Sequence, residues 1–233
     1  MANFAGSFRH SSLWQATGHS GEDEESVFLK TRIGILGGSF NPVHLGHLIL
    51  AQDALEVFDL ATVLFVPCDQ PPHKPAAGLV SAEHRVAMLA TALTGSLPFE
   101  VCDLEIRRGG ATYSIDTVRA LAKRYPEDEL VFIIGSDTLP ELHLWKDARD
   151  LLRLCRFVTL ARPGFDLKAM TGKNLNLEPD LARALLANVA VGHQVDISSS
   201  DIRHRVAEGM SIRYLVPDAV DMYIAEHGLY SLG

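Results

Sequence analysis

The sequence has few cysteines, few aromatic residues and no long run of apolar residues. Its three cysteines, Cys68, Cys102 and Cys155, lie far apart and form no CxxC or zinc-ligand spacing. We expect them to be free thiols, buried or partly buried, in a reducing cytoplasm. No apolar stretch approaches the roughly 20 residues of a membrane span. The N-terminus also lacks the positive end and apolar core of a signal peptide, so we expect a cytoplasmic protein without a membrane partner.

Basic residues are also scarce. The chain has 21 Lys and Arg residues against 29 Asp and Glu residues, and its formal net charge is −8. This balance argues against broad binding to nucleic acid, which needs a basic surface. A phosphate-bearing small molecule stays possible, because local charge governs a pocket. Whether the protein is a monomer or a homo-oligomer is left open by the sequence.

Apolar runs alternate with segments of helical periodicity along most of the 233 residues. The predicted strands are Ile33–Leu36, Val63–Val66, Phe99–Leu104, Leu130–Ile134, Phe157–Leu160 and Val189–Val195. The predicted helices are Leu45–Phe58, Ala82–Thr94, Ile115–Tyr125, Leu139–Arg153, Asp180–Ala187, Ser200–Glu208 and Pro217–His227. This order predicts a three-layer, Rossmann-like α/β fold with a mostly parallel central sheet. Ligands then bind outside the carboxyl ends of the strands.

The first 31 residues differ in composition from the rest of the chain. Residues 1–31 are small, polar and acidic, and we expect them to form a poorly ordered N-terminal extension. Residues 32–233 show no linker or repeat, so we expect a single domain that includes the C-terminal helices. Ser81 and Ser114 are predicted N-caps. Pro217 suits a first helical turn, and Gly228 suits a C-terminal cap.

The segment from Gly37 to His47, GGSFNPVHLGH, is the most informative part of the chain. It joins a predicted strand to a predicted helix. Its glycines let backbone amides approach a phosphate, and the helix start adds free N–H groups and a partial positive charge. His44 and His47 are three residues apart, so they share one helical face. The segment therefore predicts a polyphosphate site, and it is neither a Walker A loop nor a GxGxxG fingerprint.

Other candidate residues follow predicted strands or begin predicted helices, and each has an ordinary structural alternative. Lys74 suits a phosphate but is otherwise a solvated loop residue. Asp137 suits ribose hydroxyls but is also a good N-cap. Trp145 offers a face for stacking, although a lone tryptophan is more often core. The serines of 198–200 with Arg203 predict a second phosphate-type helix start, or simple capping with an exposed arginine.

These motifs, in this order, resemble the bacterial nicotinate mononucleotide adenylyltransferases of the HxGH nucleotidyltransferase superfamily. The resemblance covers residues 32–232. Besides Gly37–His47, the blocks that carry it are PPHK at 71–74, ATYSIDT at 111–117, IGSD at 134–137, Trp145, ISSSDIR at 197–203 and YIAEHGLY at 223–230. It implies the nucleotidyltransferase fold and adenylyl transfer from ATP to nicotinate mononucleotide, with Mg²⁺ held by phosphates and water and no protein metal ligand. The products are deamido-NAD and pyrophosphate.

The resemblance also implies a role for each candidate residue. The catalytic group is His44, His47 and Arg203; the ATP-binding group is Gly37, Gly38, Ser39, Phe40, Gly46, Asp137, Ser198 and Ser199; the substrate-binding group is Lys74, Thr112, Tyr113, Ser114 and Trp145. The chain differs from the family at Ser114, where threonine is frequent, and at Lys146, where an aromatic residue often follows the tryptophan. Both positions bear on the preference for the acid over the amide.

Other functions remain to be compared with this one. An enzyme of the same fold acting on nicotinamide mononucleotide, or on both nucleotides, is the nearest alternative. A pantetheine-phosphate adenylyltransferase is disfavoured by the context of Tyr113 and Trp145. A nucleotide-sensing protein without catalysis is disfavoured by the presence of His44, His47 and Arg203.

Overall fold

The fold is described from a computed structural model, which describes residues 30–70, 78–96, 98–164 and 172–231. The predicted N-terminal extension, residues 1–31, lies outside the described residues except for its last two. Lys74 also lies outside them.

A six-stranded sheet forms the centre of the molecule. Its strands are β1 (Arg32–Gly38), β2 (Thr62–Pro67), β3 (Phe99–Val101), β4 (Glu129–Gly135), β5 (Arg156–Leu160) and β6 (Val189–Ala190). They lie in the order β3-β2-β1-β4-β5-β6, and every neighbouring pair is parallel. The predicted parallel α/β fold is therefore confirmed.

Helices cover both faces of this sheet. The α-helices are α1 (Leu45–Val57), α2 (Ala82–Ala92), α3 (Leu104–Arg108), α4 (Ser114–Arg124), α5 (Ala148–Leu154), α6 (Pro179–Leu186), α7 (Ser199–Ala207) and α8 (Asp218–Glu226). Two 3₁₀ helices span Ser136–Leu144 and Gly172–Leu175. Successive strand residues enter different apolar clusters: Phe65 and Ile133 pack on one face, and Leu64 and Ile134 on the other. Burial of both faces explains why the strands are continuous apolar runs.

The strand order creates a crevice at the centre of the sheet. From β1 the chain runs outward through β2 and β3, and it then returns to the other side of β1 as β4. The connections after β1 and β4 therefore diverge, and ligands bind at such a switch point. β1 ends at Gly37–Gly38 and β4 ends at Gly135. The glycine-rich segment thus lies at the crevice.

Three predicted elements differ from the structure. The predicted helix Leu139–Arg153 is instead a 3₁₀ helix followed by α5. Pro140 lies inside the 3₁₀ helix, where its ring disfavours α-helical bonding, and Asp147 adopts left-handed backbone angles before α5 begins. The predicted strand Phe99–Leu104 ends at Val101, and Leu104 begins α3.

The predicted strand Val189–Val195 has only two residues. Beyond Ala190 the segment turns to another partner, since the backbone N–H of His193 donates to Asp53 Oδ2 at 2.7 Å.

The predicted caps are confirmed in part. Ser81 caps α2 and accepts from the backbone N–H of His84. Gly228 has a φ of 57°, and the neighbouring N–H of Leu229 donates to Ile224 O at 3.0 Å, which closes α8. Ser114 is not a cap, because Tyr113 holds that position and Ser114 is the first residue of α4. Pro217 is the N-cap of α8, one residue before its first turn.

Candidate active site

The side chain of Phe40 fixes the turn after β1 by packing into the core. This side chain is 1% exposed, and its ring centroid lies 5.7 Å from that of Phe65. A Cβ added to Gly38 would lie 3.2 Å from Phe40 Cζ, so a side chain there would press on the anchor. The buried ring beneath the turn leaves its backbone at the crevice, where the sequence predicted a phosphate site.

His44 and His47 stack on one another at the start of α1. Their ring centroids are 3.7 Å apart with planes inclined by 25°, which confirms the predicted shared face. His47 Nδ1 accepts from the backbone N–H of His44 at 3.3 Å. Burial, with a smaller contribution from the charge of Arg162, lowers the pKa of His44 to about 4. His44 is therefore neutral at neutral pH.

A buried guanidinium holds the turn in place. Arg85, on α2, is 1% exposed and donates to the carbonyl oxygens of Ser39 at 3.0 Å, Asp69 at 3.1 Å and Val80 at 3.2 Å. It donates to Cys68 O as well. The turn and the end of β2 are thereby tied to one side chain. Sequence reasoning missed Arg85, because an arginine within a helical pattern is usually solvated.

A cleft of about 370 Å³ opens above the turn. Nine of the predicted site residues line it: Gly37, Gly38, Ser39, His47, Thr112, Tyr113, Ser114, Asp137 and Trp145. A smaller adjoining cleft is lined by His44 and Gly46. The structure thus brings together residues that lie about 100 positions apart in the chain.

Asp137 lies at the carboxyl end of β4, on the wall of the cleft. It is not an N-cap, because Gly135 holds that position before the 3₁₀ helix. Its Oδ1 atom lies 3.1 Å from Nε of Arg162, and its side chain is 61% exposed. Arg162 follows β5 and lines both clefts. Its positive charge helps to lower the pKa of His44. Sequence reasoning missed Arg162, although its place just after a buried strand was an available signal.

The start of α7 lies behind the turn. Ser198 caps α7 by accepting from Asp201 N at 3.1 Å. Ser199 Oγ donates to Pro42 O at 2.9 Å, and Arg203 Nη1 donates to Asn41 O at 2.9 Å. The two helix starts therefore lie on the same side of the molecule. Ser199 and Arg203 support the turn, and neither they nor Ser198 line the 370 Å³ cleft.

The far end of the cleft carries aromatic side chains and, among the residues that the structure describes, one ammonium group. The Trp145 ring meets that of Phe132 edge-on, with centroids 5.9 Å apart. Lys146 Nζ lies 4.4 Å from the centroid of the Tyr113 ring and 3.4 Å from Asp116 Oδ2. Trp145 thus packs against the core, as a lone tryptophan usually does, and also lines the cleft; its stacking on a ligand ring stays a prediction.

A buried carboxyl group lies in the same end of the cleft. Glu105 is 7% exposed and accepts from the hydroxyl of Thr117. Burial raises its pKa, while hydrogen bonds from Thr117 and Thr112 oppose that shift. Glu105 thereby anchors residues on both sides of the start of α4.

The described part of the chain contains no group of three His, Cys, Asp or Glu side chains that could hold a metal ion. None of its helices has the length and apolar character needed to cross a bilayer. Its three cysteines are free, and two of them are buried.

Comparisons with known proteins agree with this geometry. The family model described as cytidylyltransferase-like matches residues 35–205. A probable nicotinate-nucleotide adenylyltransferase of Opitutus terrae is 46% identical over 85% of this chain and 97% of its own length. A protein of the same name from Symbiobacterium thermophilum is 43% identical over 87% and 96%.

A solved structure shares the fold. It is the nicotinic acid mononucleotide adenylyltransferase of Plasmodium falciparum in complex with NaAD, at a TM-score of 0.67 and 19% identity over 86% of this chain and 97% of that one. Fold, family match and close relatives point the same way. The chain therefore belongs to the cytidylyltransferase-like nucleotidyltransferases, in the family of nicotinate-nucleotide adenylyltransferases.

Proposed function

We propose that this protein transfers the adenylyl group of ATP to nicotinate mononucleotide, giving deamido-NAD and pyrophosphate. One observation carries the proposal: a single cleft has a glycine turn with His47 at one end and the aromatic rings of Tyr113 and Trp145 at the other. Such a cleft suits a substrate pair with phosphates at one end and a pyridine ring at the other. The names of the relatives at more than 40% identity support the same reaction.

We assign the ATP phosphates to the turn and the two helix starts. Gly37, Gly38 and Ser39 offer backbone close to the ligand, and His47 offers a ring N–H from the start of α1. Phe40, His44 and Gly46 shape this end from behind. Asp137 is positioned for the adenosine ribose, with Arg162 beside it.

Ser198, Ser199 and Arg203 are proposed for the departing pyrophosphate. Ser199 and Arg203 donate to the backbone of the turn, and Ser198 precedes Ser199 as the N-cap of the same helix. A guanidinium has five N–H donors, so Arg203 retains donors for a phosphate beside its bonds to Asn41 and Ser200.

We assign the mononucleotide to the other end. Thr112, Tyr113 and Ser114 lead into α4, whose first backbone N–H groups have no helical partner. Trp145 offers a flat face to the pyridine ring. Lys74 remains a prediction for the mononucleotide phosphate.

The reaction needs alignment and no general base. The nucleophile is the 5′-phosphate of the mononucleotide, which attacks the α-phosphorus of ATP in line while the bond to pyrophosphate breaks. A phosphate monoester has a second pKa of about 6 and is mostly dianionic at neutral pH. His44, with its pKa lowered to about 4, is also unsuited to hold a proton for donation at neutral pH. Positioning and charge stabilisation at the phosphates therefore lower the barrier.

ATP is proposed to enter as its magnesium complex. Mg²⁺ prefers phosphate oxygens and water, and it neutralises charge on the triphosphate. The cleft is compatible with this arrangement, because the carboxylate of Asp137 is already paired with Arg162.

Pyrophosphate release tests the proposal. The protein is mixed with MgATP and either nicotinate or nicotinamide mononucleotide, and initial rates are compared. We expect release with the acid, and faster release than with the amide. Release with the amide alone would favour the alternative substrate, and release with neither would favour a sensing protein and refute the proposal.

A further inference from the structure

The block YIAEHGLY at 223–230 reaches the turn after β1, although the proposed function gives this block no role. Tyr230 follows α8 with a φ of 66°, in the left-handed region. Its ring packs against the core cluster that contains Phe40, and Leu229 before it is buried in the same cluster. These two residues therefore attach the end of α8 to the body of the molecule.

The hydroxyl of Tyr230 donates to Oδ1 of Asn41 at 2.8 Å. Asn41 belongs to the turn after β1 and is 4% exposed. Its Oδ1 also accepts from Val80 N at 3.3 Å, and its Nδ2 donates to Gly78 O at 2.8 Å. The bond from Tyr230 has the usual O–H···O length, whereas the bond from Val80 is longer than most N–H···O bonds. Tyr230 is therefore the main donor to the buried amide oxygen.

The main chain of Asn41 holds Arg203. Nη1 of Arg203 donates to Asn41 O at 2.9 Å. A Cβ added to Gly78 would lie 3.9 Å from Arg203 Nε, so the guanidinium also lies beside the residue that the Asn41 amide binds. The amide and the carbonyl of Asn41 share one Cα atom. Fixing the amide therefore also fixes the oxygen that Arg203 uses.

The hydroxyl of Tyr230 is a permanent donor at neutral pH. Burial raises the pKa of Tyr230, and the positive charges of Arg203 and Arg85 oppose that rise without cancelling it. Tyr230 also lies outside the residues that line the 370 Å³ cleft. A protonated hydroxyl outside the cleft can contribute alignment but no proton transfer to the substrates.

We infer that Tyr230 is a positioning residue for adenylyl transfer, because its hydroxyl acts through Asn41 to hold Arg203 where the guanidinium meets the departing pyrophosphate. The inference rests on the proposed function, which assigns Arg203 to that group. Charge stabilisation depends on donors that are in place before the charge develops. Loosening Asn41 should therefore reduce what Arg203 contributes, although Tyr230 itself touches no substrate.

A purely structural role for Tyr230 makes a different prediction. Its hydroxyl would then serve only to attach the end of α8, as Tyr223 attaches the middle of that helix. The hydroxyl of Tyr223 lies 3.0 Å from His84 Nδ1 on α2, and Tyr223 also lies outside the cleft lining. Loss of either hydroxyl would then lower the melting temperature and leave the reaction rates unchanged. Tyr223→Phe is therefore the matched control.

The first experiment compares Tyr230→Phe and Tyr223→Phe with the wild type. Phenylalanine keeps the packed ring and removes only the hydroxyl. We expect Tyr230→Phe to lower kcat about three- to tenfold, which is the usual net effect of one hydrogen bond, and to leave KM for the mononucleotide unchanged. Tyr223→Phe should keep both constants. Melting curves of both variants show that the rates refer to folded protein.

A double-mutant cycle tests whether the effect passes through Arg203. In the Arg203→Ala background no guanidinium remains to be positioned, so Tyr230→Phe should change the residual kcat little. A loss in that background as large as the loss in the wild type would overturn the inference. So would an unchanged kcat in Tyr230→Phe, or an equal fall of kcat in Tyr223→Phe.

Calorimetric titration with pyrophosphate and Mg²⁺ separates the inference from the proposed function, because it requires no turnover. Tyr230→Phe should bind pyrophosphate about three- to tenfold more weakly than the wild type, and Tyr223→Phe should bind it equally well. Equal affinity in all three proteins would overturn the inference. A wild type that binds pyrophosphate in this Tyr230-dependent way, yet releases none from ATP with either mononucleotide, would overturn the proposed function alone.

Discussion

The two ends of the cleft are built in different ways. At the phosphate end, Phe40 and Arg85 are each 1% exposed and His44 is 4% exposed. At the end proposed for the pyridine ring, Thr112 and Glu105 are buried, whereas Trp145 is half-buried and Lys146 is exposed, held by a ring face and a surface carboxylate. The first end is fixed by packing, and the second is assembled in part from side chains that solvent reaches.

This difference separates rate from selectivity. Stabilising charge in a transition state requires donors that do not reorganise, which a packed end provides. Choosing between two similar rings requires contacts with the ring and its substituent, which we assign to the other end of the cleft. We therefore expect damage at the phosphate end to lower turnover, and damage at the pyridine end to change KM.

The largest expected effect is from His47→Ala. Loss of one charge-stabilising donor commonly costs about 10²–10³ in turnover, and we expect a loss of that size with a nearly unchanged melting temperature. Steady-state rates with saturating substrates measure it. His204→Ala, at an exposed histidine of α7, serves as the control. Near-normal turnover in His47→Ala would show that His47 has no part in catalysis and would count against the division of rate and selectivity between the two ends of the cleft.

The next effect concerns pH and folding stability. The pKa of His44 falls from 6.5 to about 4 on folding, so the unfolded chain binds a proton at this site more readily. Its contribution to stability is present above pH 6.5 and is lost as pH falls towards 4, about 3 kcal/mol in total. Urea unfolding between pH 7.5 and 4.5 measures this loss. The loss should be smaller in His44→Asn, and an equal loss in both proteins would contradict the burial of a neutral imidazole.

Gly46→Ala tests how closely the stacked imidazoles are held. A Cβ at this position would lie 3.1 Å from His44 Nδ1 and 3.2 Å from its Cε1, so the ring must shift. A misplacement of about 1 Å can cost about 10²-fold in rate, so for a smaller shift of the ring we expect a loss of less than that size. Alanine is a better helix former than glycine, so the melting temperature should not fall. Reaction rates and melting curves of Gly46→Ala, measured together, check both expectations. A wild-type rate in this variant would show that the His44 ring can accommodate the added methyl group without harm.

The smallest effect is expected at the pyridine end. Trp145→Ala removes a stacking face, and we expect KM for the mononucleotide to rise about tenfold while kcat changes little. Trp145→Phe should restore most of the lost affinity. A fall in kcat as large as that of His47→Ala would show that the two ends do not divide the work.

The local parts of this structure were predictable, and the long-range ones were not. The fold class and the segment Gly37–His47 follow from periodicity and glycine spacing, because both act over a few residues. Arg85 and Arg162 were missed, since each gains its importance from partners that the fold brings near. The break before α5 was missed because Asp147 adopts left-handed backbone angles that its residue type does not require.

Arg85 has a consequence for sequence variation. Four of its hydrogen bonds go to main-chain oxygens, at Ser39, Cys68, Asp69 and Val80. A main-chain oxygen is present whatever residue stands at the position. The four positions can therefore exchange side chains without loss of this attachment, whereas Arg85 itself is hard to replace. For this attachment, the constraint on sequence falls on position 85, and the side chains at the four partner positions are less constrained.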